Sequence, residues 1–263
     1  YFGKDTPHEV HYLAEQVSHH PPISVFIARH RASGTKITAS YHPKSKLVSP
    51  NCGASVGEGT MLLEVPSRNA RYKMNWPNVY VGGILTGPMK LEVVGDVVIE
   101  PEKSDLVANL NFTRKPMFGG GYDDLKGGIS RGKAKLFTLE GKWHDRTQMV
   151  PFVEKGSKEA PLPAVKLFNP IEHDAVRPFC AETTFPKPSR VIWKKVSIAL
   201  RGNEAVAAKE AKEEIESSER ELRRAREARD EQYLPGFFRV VSDASNEDVK
   251  ESKKQWSYIG RLN

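Results

Sequence analysis

The sequence predicts a mainly β protein of the α+β class, with an antiparallel sheet or barrel followed by C-terminal helices. Over the first 150 residues, short runs of β-branched and aromatic residues alternate with Gly, Pro, Asn and Ser. The runs recur about every 10 to 15 residues with no helical pattern between them, which argues against the crossover helices that parallel strands need. Two helix-type patterns then follow residue 188.

The candidate strands are defined by their composition and by the punctuation at their ends. In "KITAS" (36–40) and "LVANLNF" (106–112), polar and apolar residues alternate, as they do in strands with one buried face. The predicted strands are 8–15, 23–30, 35–42, 60–65, 80–85, 90–100, 106–113 and 133–143.

The composition changes after Pro151, which divides the chain into strands over 1–150 and an extended segment with helices over 151–263. A Pro-rich and charge-rich surface excursion comes first. The segment 188–202 then has helical spacing, and Asn203 is a plausible N-cap for a long helix over 204–232. The apolar stripe of that helix is thin, so it can lie against a neighbour without forming a core: Ala208, Ala211, Ile215, Leu222 and Ala225.

Composition limits the classes of function. The 263 residues suffice for one large domain or two small ones, with 38% hydrophobic and 28% charged residues. No window approaches the roughly 20 apolar residues of a membrane span. Cys52 and Cys180 form neither a disulfide framework nor a metal-type spacing, which favours a reducing compartment. A net charge of +7 favours an anionic partner without choosing among phospholipids, phosphorylated ligands and nucleic acid.

Two adjacent histidines, His19 and His20, stand directly before Pro21 and Pro22. Neighbouring residues of a regular strand point to opposite faces, so both rings can serve one ligand only where the backbone leaves β geometry. The prolines favour that departure, because they lack backbone donors and restrict the residue before them. Such a corner suits an anion held by N–H donors. A structural role for the histidines, or a zinc site with His8 and His11, is the alternative.

A second candidate site lies on the polar helix, where "KEEIESSER" places Lys212, Glu216 and Arg220 at steps of four. The three side chains share one slowly drifting face, with the ends about 12 Å apart along the axis. The two cations can converge on a phosphate-sized group while the carboxylate orients both. The alternative is a row of ordinary surface ion pairs, which decorate many exposed helices.

Two further patterns favour no chemistry. The glycine-rich stretch 115–128 lacks the Gly-Lys-Ser/Thr order and the following helix of a nucleotide loop, so a flexible hairpin connection is predicted. Ser18 beside His19 has no G-x-S-x-G elbow and no third group, which argues against a hydrolase.

Several motifs together resemble one family. "EQVSHHPP" (15–22) is similar to the full signature of the oxysterol-binding protein family of lipid-transfer domains. "KPMFGG" (115–120) and "LEGKW" (139–143) resemble further family segments, although Met117 replaces a commoner aromatic. "KEEIESSER" (212–220) resembles the family's Lys-x3-Glu-x3-Arg helix, although Glu219 stands where Gln is usual. The resemblance covers essentially the whole chain.

The resemblance implies a fold and an extent. The family fold is a nearly closed antiparallel β-barrel around a hydrophobic lipid tunnel, with helices at its C-terminal side. The family's N-terminal lid region has no counterpart in the sequence, so residues 1–263 are expected to be an N-terminally incomplete lipid-binding domain, an incomplete barrel.

The resemblance also implies a function without catalysis, cofactor, metal or nucleic acid. Family members exchange phosphatidylinositol 4-phosphate for a second lipid between membranes. Carried over by position, His19 and His20 would bind the 4-phosphate, Lys212 and Arg220 the headgroup phosphates, and Glu216 would position them. The second lipid is phosphatidylserine or sterol, and "WPNVYVGGILTGPMKLE" (76–92) looks more like the phosphatidylserine branches. A cytoplasmic protein, peripheral at membranes of endoplasmic reticulum contact sites, is expected. A phosphoinositide sensor without transfer is the alternative.

Overall fold

A computed structural model of the chain describes residues 2–116, 119–154, 163–168, 188–241 and 254–260. Its main element is an antiparallel sheet of 13 strands. The strands are β1 Val10–Ser18, β2 Ile23–His30, β3 Lys36–Ser49, β4 Cys52–Glu58, β5 Met61–Val65, β6 Ala70–Met74, β7 Asn78–Gly82, β8 Lys90–Pro101, β9 Leu106–Thr113, β10 Asp124–Arg131, β11 Ala134–Lys142, β12 Thr147–Pro151 and β13 Val165–Phe168.

The order of strands across the sheet is β1-β2-β3-β4-β7-β8-β9-β10-β11-β12-β13, with β5 and β6 paired between β3 and β8. Nearly every connection joins neighbours, as in an up-and-down meander. Among the described residues no pairing joins β1 to β13, so the sheet is open there. The prediction of a mainly β, antiparallel fold is confirmed.

Several strands escaped the sequence prediction because they are short or rich in glycine: β4, β6, β10 and β12. The clearest case is β10, which occupies much of the predicted hairpin connection 115–128. A Cβ at Gly127 would lie 2.1 Å from the carbonyl oxygen of Asn109 on β9. Here glycine permits close approach of two strands rather than loop flexibility, so the prediction of a connection was wrong over 124–128.

The predicted helices exist with different bounds. The first is divided at Trp193 into α1 Ser189–Ile192 and α2 Lys194–Arg201, and the second is α3 Ala205–Glu227. Asn203 is not the N-cap, because it adopts φ 57° in the turn before the helix, and Glu204 occupies the cap position without a side-chain cap hydrogen bond. The helix ends before residue 232, since Asp230 has φ 52°.

The sheet and the helices belong to different compact units. One unit comprises Tyr1–Pro178 and Pro235–Asn263, and the other comprises Phe179–Leu234. Strands extend beyond residue 150, because β13 spans Val165–Phe168. The chain returns to the sheet unit at Pro235, and β14 Phe238–Val240 then pairs with β15 Trp256–Tyr258.

That return supplies the main buried cluster of the sheet unit. Phe238 is fully buried among apolar side chains of the β1–β2 hairpin: Val17, Ile23, Val25 and Ile27. Full burial of each such side chain contributes on the order of 2 kcal/mol.

The opposite face of the hairpin carries a row of aromatic rings, whose neighbouring centroids lie 5.0 to 6.3 Å apart. Its members are half-buried or exposed: Phe2, Tyr12, Phe26, Trp76 and Tyr41. The hairpin therefore has one face sealed by Phe238 and one apolar face that is partly open.

Candidate functional site

The histidine turn, residues 19–22, connects β1 to β2, and all four residues are exposed. The rings of His19 and His20 lie with centroids 4.2 Å apart at an angle of 53°. The His20–Pro21 peptide bond is cis. The backbone leaves β geometry at the predicted position, and the structure brings the two imidazoles together.

The histidine turn is anchored on both sides by buried residues. Val17 is 5% exposed and Ile23 is 1% exposed, and both belong to the cluster around Phe238. The register shifts between Gln16 and Ser18, so the last residue of β1 pairs directly with Ile23. Such an irregularity re-aims the residues that follow it.

Glu15, from the same motif, has a role that the sequence reasoning missed. Its carboxylate accepts hydrogen bonds from the backbone N–H groups of Gly236 at 2.6 Å and Phe237 at 2.9 Å. Glu15 therefore fixes the returning chain beside Phe238. The sequence contains a sign of this role. Glu15 is two residues from both Leu13 and Val17, so it places a charge on the same face of β1 as these two apolar side chains.

The second group, which we call the helix row, consists of Lys212, Glu216 and Arg220 on α3. Lys212 Nζ donates to Glu216 Oε1 at 2.5 Å, and Arg220 Nη2 donates to Glu216 Oε2 at 3.1 Å. The two cations are 53% and 57% exposed, against 37% for the carboxylate. The carboxylate thus holds both cations on one face of the helix, and the row keeps a single net positive charge.

The two groups lie in different compact units, the histidine turn in the sheet unit and the helix row in the helical unit. Within each group the structure brings the side chains together: the two imidazoles in the turn, and the two cations around Glu216 on the helix. Their convergence on one ligand stays a prediction.

Other candidate chemistry finds little support in the geometry. His11 is buried and bonds through Nε2 to Glu9 Oε1 at 2.5 Å. That hydrogen bond, with a second from the backbone of Asp5, holds the pKa of the Glu9 carboxyl below its ordinary value. Within the described ranges, no three His, Cys, Asp or Glu residues are grouped to hold a metal ion. Cys52 is buried, and Cys180 and Met117 lie outside the described residues.

Two cavities open elsewhere on the sheet unit. One of about 410 Å³ lies against β10, β11 and β12, and another of about 380 Å³ lies over β8 to β11. Neither is lined by the histidine turn. No helix in the described part of the chain has the length and apolar character needed to cross a bilayer.

Comparison with known proteins identifies one family over most of the chain. Residues 2–200 match the family described as oxysterol-binding protein. The chain is 32% identical over 236 residues to the oxysterol-binding protein-like protein OBPa of Candida albicans, covering 89% of this chain and 53% of the relative. It is 32% identical over 234 residues to human oxysterol-binding protein-related protein 8, covering 87% of this chain and 26% of the relative.

Solved structures show the same fold. The Osh1 ORD domain in complex with ergosterol matches with a TM-score of 0.72 at 19% identity, covering 96% of this chain and 64% of that structure. The Osh3 ORD of Saccharomyces cerevisiae in complex with PI(4)P matches with a TM-score of 0.63 at 19% identity, covering 96% and 65%. These similarities confirm the predicted incomplete antiparallel barrel.

The chain spans about half the length, or less, of these two curated relatives. The family match itself covers most of the chain, from the strand region into α2. The chain belongs to the oxysterol-binding protein family, whose domains bind lipids.

Proposed function

We propose that this chain forms the lipid-binding part of a transfer protein that exchanges phosphatidylinositol 4-phosphate for phosphatidylserine or a sterol between membranes. His19, His20, Lys212, Glu216 and Arg220 bind the phosphoinositide headgroup, and no covalent chemistry is involved. The observation that carries the proposal is the exposed imidazole pair, with ring centroids 4.2 Å apart on a hairpin anchored by buried residues.

The charge of the headgroup supports this pairing of residues. A phosphomonoester carries about −1.5 to −2 charges near neutral pH, and it loses its hydration at high cost unless several donors replace water. Each imidazole offers at least one N–H donor, and the helix row offers a lysine and an arginine. Glu216 restricts both cations before the ligand arrives, which lowers the entropy lost on binding.

The apolar part of the lipid needs a different surface. The row of aromatic rings on β1 to β3 and Trp76 offers apolar area on the face that Phe238 leaves uncovered. Burial of acyl chains or a sterol gains about 0.8 kcal/mol per CH₂ group and does not select a headgroup. The similarity in fold to ORD domains in complex with PI(4)P and with ergosterol supports both halves of the proposal.

The histidine pair is tested with the full-length protein and liposomes that contain phosphatidylinositol 4-phosphate. His19→Ala/His20→Ala should weaken extraction more than a hundredfold, because two hydrogen bonds to a charged phosphate contribute about 3 kcal/mol or more. His8→Ala, which removes an exposed histidine before β1, is the control and should extract normally. Normal extraction by the double variant would contradict the assignment.

The helix row has its own matched control on α3. Lys212→Ala/Arg220→Ala should weaken binding strongly, whereas Lys209→Ala/Arg223→Ala should not. Both doubles remove one lysine and one arginine from i,i+4 ion pairs of the same helix. Equal loss in both would indicate a general effect of charge rather than a site.

Transfer kinetics between donor and acceptor liposomes distinguish exchange from sensing. A phosphoinositide sensor would bind the lipid without moving it. Counter-transport of phosphatidylserine or of sterol, measured separately, identifies the second cargo. A transfer protein of this kind would act in the cytoplasm, peripherally, where two membranes such as the endoplasmic reticulum and a partner come close.

A further inference from the structure

A second exposed surface lies in the sheet unit, and we call it the apolar tip. It is formed by the end of β3 and by the loop between β7 and β8. Its five side chains are between 41% and 74% exposed: Leu47, Val48, Ile84, Leu85 and Met89. Clustered apolar side chains with this exposure mark a surface that contacts another molecule or a membrane.

The apolar tip is held in place rather than loosely extended. Asn51 Oδ1 accepts hydrogen bonds from the backbone N–H groups of Leu85 at 2.8 Å and Thr86 at 3.0 Å, and Asn51 Nδ2 donates to Thr86 O at 3.0 Å. Gly83 has φ 77°, and a Cβ there would lie 2.3 Å from Pro88 O. Loop 83–89 is therefore closed on itself and fixed to the β3–β4 turn, so little order is lost on docking.

Strand register places the apolar tip at the same end of the sheet as the histidine turn. Ser24, at the start of β2, pairs with Tyr41, and β3 continues from there to Ser49 beyond the histidine turn. β4 starts at that end, where Cys52 pairs with Gly82 at the end of β7, and Gly82 in turn pairs with Lys90 at the start of β8. Loop 83–89 therefore lies at the same end. Both features belong to the one sheet unit.

Positive charge surrounds the apolar tip. Lys46 precedes Leu47 on β3, and Lys90 follows Met89 directly. Lys90 Nζ and Lys115 Nζ lie 4.2 and 4.5 Å from the ring centroid of Tyr122. In the part of the chain that the structure describes, no carboxylate lies within ion-pair distance of these three lysines, so their charge is available to a partner.

Apolar side chains beside unneutralised lysines match one partner, the surface of an anionic bilayer. Apolar groups gain free energy at the boundary between headgroups and acyl chains, and each lysine near an anionic surface adds attraction. A protein partner that buried the apolar tip would need carboxylates opposite the lysines, whereas anionic headgroups supply that charge over the whole surface.

We propose that the apolar tip inserts into an anionic lipid bilayer, with Lys46, Lys90 and Lys115 bound to its headgroups. Docking at this end turns the histidine turn toward the membrane that holds the lipid. The purpose of docking rests on the proposed function, but the insertion itself does not depend on phosphoinositide.

The test uses the full-length protein and vesicles of phosphatidylcholine, with or without phosphatidylserine and without phosphoinositide. Leu85→Asp/Met89→Asp should weaken sedimentation with phosphatidylserine vesicles by about tenfold or more, because each side chain loses its burial. Val165→Asp/Leu167→Asp, at residues 50% and 48% exposed on strand β13, adds the same charge, is the matched control and should bind normally. Wild type should bind vesicles without phosphatidylserine more weakly.

A second measurement guards against misfolding of the variant. Vesicles should slow amide hydrogen exchange of residues 83–91 in wild type, and His19→Ala/His20→Ala should keep this protection while losing phosphoinositide extraction. Unchanged vesicle binding by the aspartate double variant, or no protection of 83–91, would overturn the proposal. A concentration-dependent dimer that the double variant abolishes would overturn it in favour of a second copy as the occupant.

Discussion

The histidine turn and the helix row hold their side chains by different means. The turn is fixed from a distance, since Val17 and Ile23 pack against Phe238, which lies more than 200 positions further along the chain. The helix row is fixed locally, because its two ion pairs join residues four positions apart on one helix. One arrangement depends on the tertiary fold and the other on helix geometry.

This difference predicts which substitutions act beyond their own neighbourhood. Damage to the buried cluster should disturb the histidines although it touches neither of them. Damage to the helix row should stay local, because exposed i,i+4 pairs contribute only a few tenths of a kcal/mol each.

Phe238→Ala tests the tertiary side of the comparison and should have the largest effect. Removal of a fully buried phenylalanine should destabilise the sheet unit by about 3 to 5 kcal/mol. Urea unfolding followed by tryptophan fluorescence measures it. Phe26→Ala, on the partly open face of the same hairpin, should cost less than half as much. Equal costs would show that the two faces of the hairpin do not differ in packing.

Glu15→Gln should have an intermediate effect, because the neutral amide oxygen is a weaker acceptor for the two backbone N–H groups. We expect a loss of about 1 to 2 kcal/mol in the free energy of unfolding and faster amide exchange at Gly236 and Phe237. Glu58→Gln, which removes the exposed ion pair with Lys44, is the control and should change stability by less than about 1 kcal/mol. Unchanged exchange at both amides would refute the anchoring role of Glu15.

Glu216→Gln should have the smallest effect on stability, below about 1 kcal/mol, since it removes two surface pairs. Its effect on phosphoinositide affinity should be larger than that of Glu213→Gln, which removes the neighbouring pair with Lys209. Isothermal calorimetry measures the affinity, and circular dichroism measures the helix content. Equal affinities for the two variants would argue that Glu216 does not orient the headgroup cations.

Local patterns allowed much of the fold to be predicted. The strand at 23–30 is present with those bounds because it is a run of β-branched and other apolar residues that two prolines precede. The strand at 124–131 was missed because its glycines serve close strand contact, which only the neighbouring strand reveals. The cap at Asn203 failed because a left-handed turn precedes the helix there.

For the candidate site too, short-range features could be predicted from the sequence and long-range contacts could not. The proximity of His19 to His20, and the spacing of Lys212, Glu216 and Arg220, follow from short-range chain geometry and could be read from the sequence. The partner of Glu15 could not, because Gly236 and Phe237 are 221 and 222 positions away. The convergence of the two groups on one ligand stays a prediction.

The late position of Phe238 has a consequence for synthesis of the protein. At about 5 to 20 residues per second, a ribosome needs on the order of ten seconds or more to proceed from the β1–β2 hairpin to Phe238. Throughout that interval Ile23, Val25 and Ile27 lack the ring that covers them in the finished protein. The nascent hairpin therefore exposes this apolar face, a surface on which chains can aggregate, until Phe238 has been synthesised.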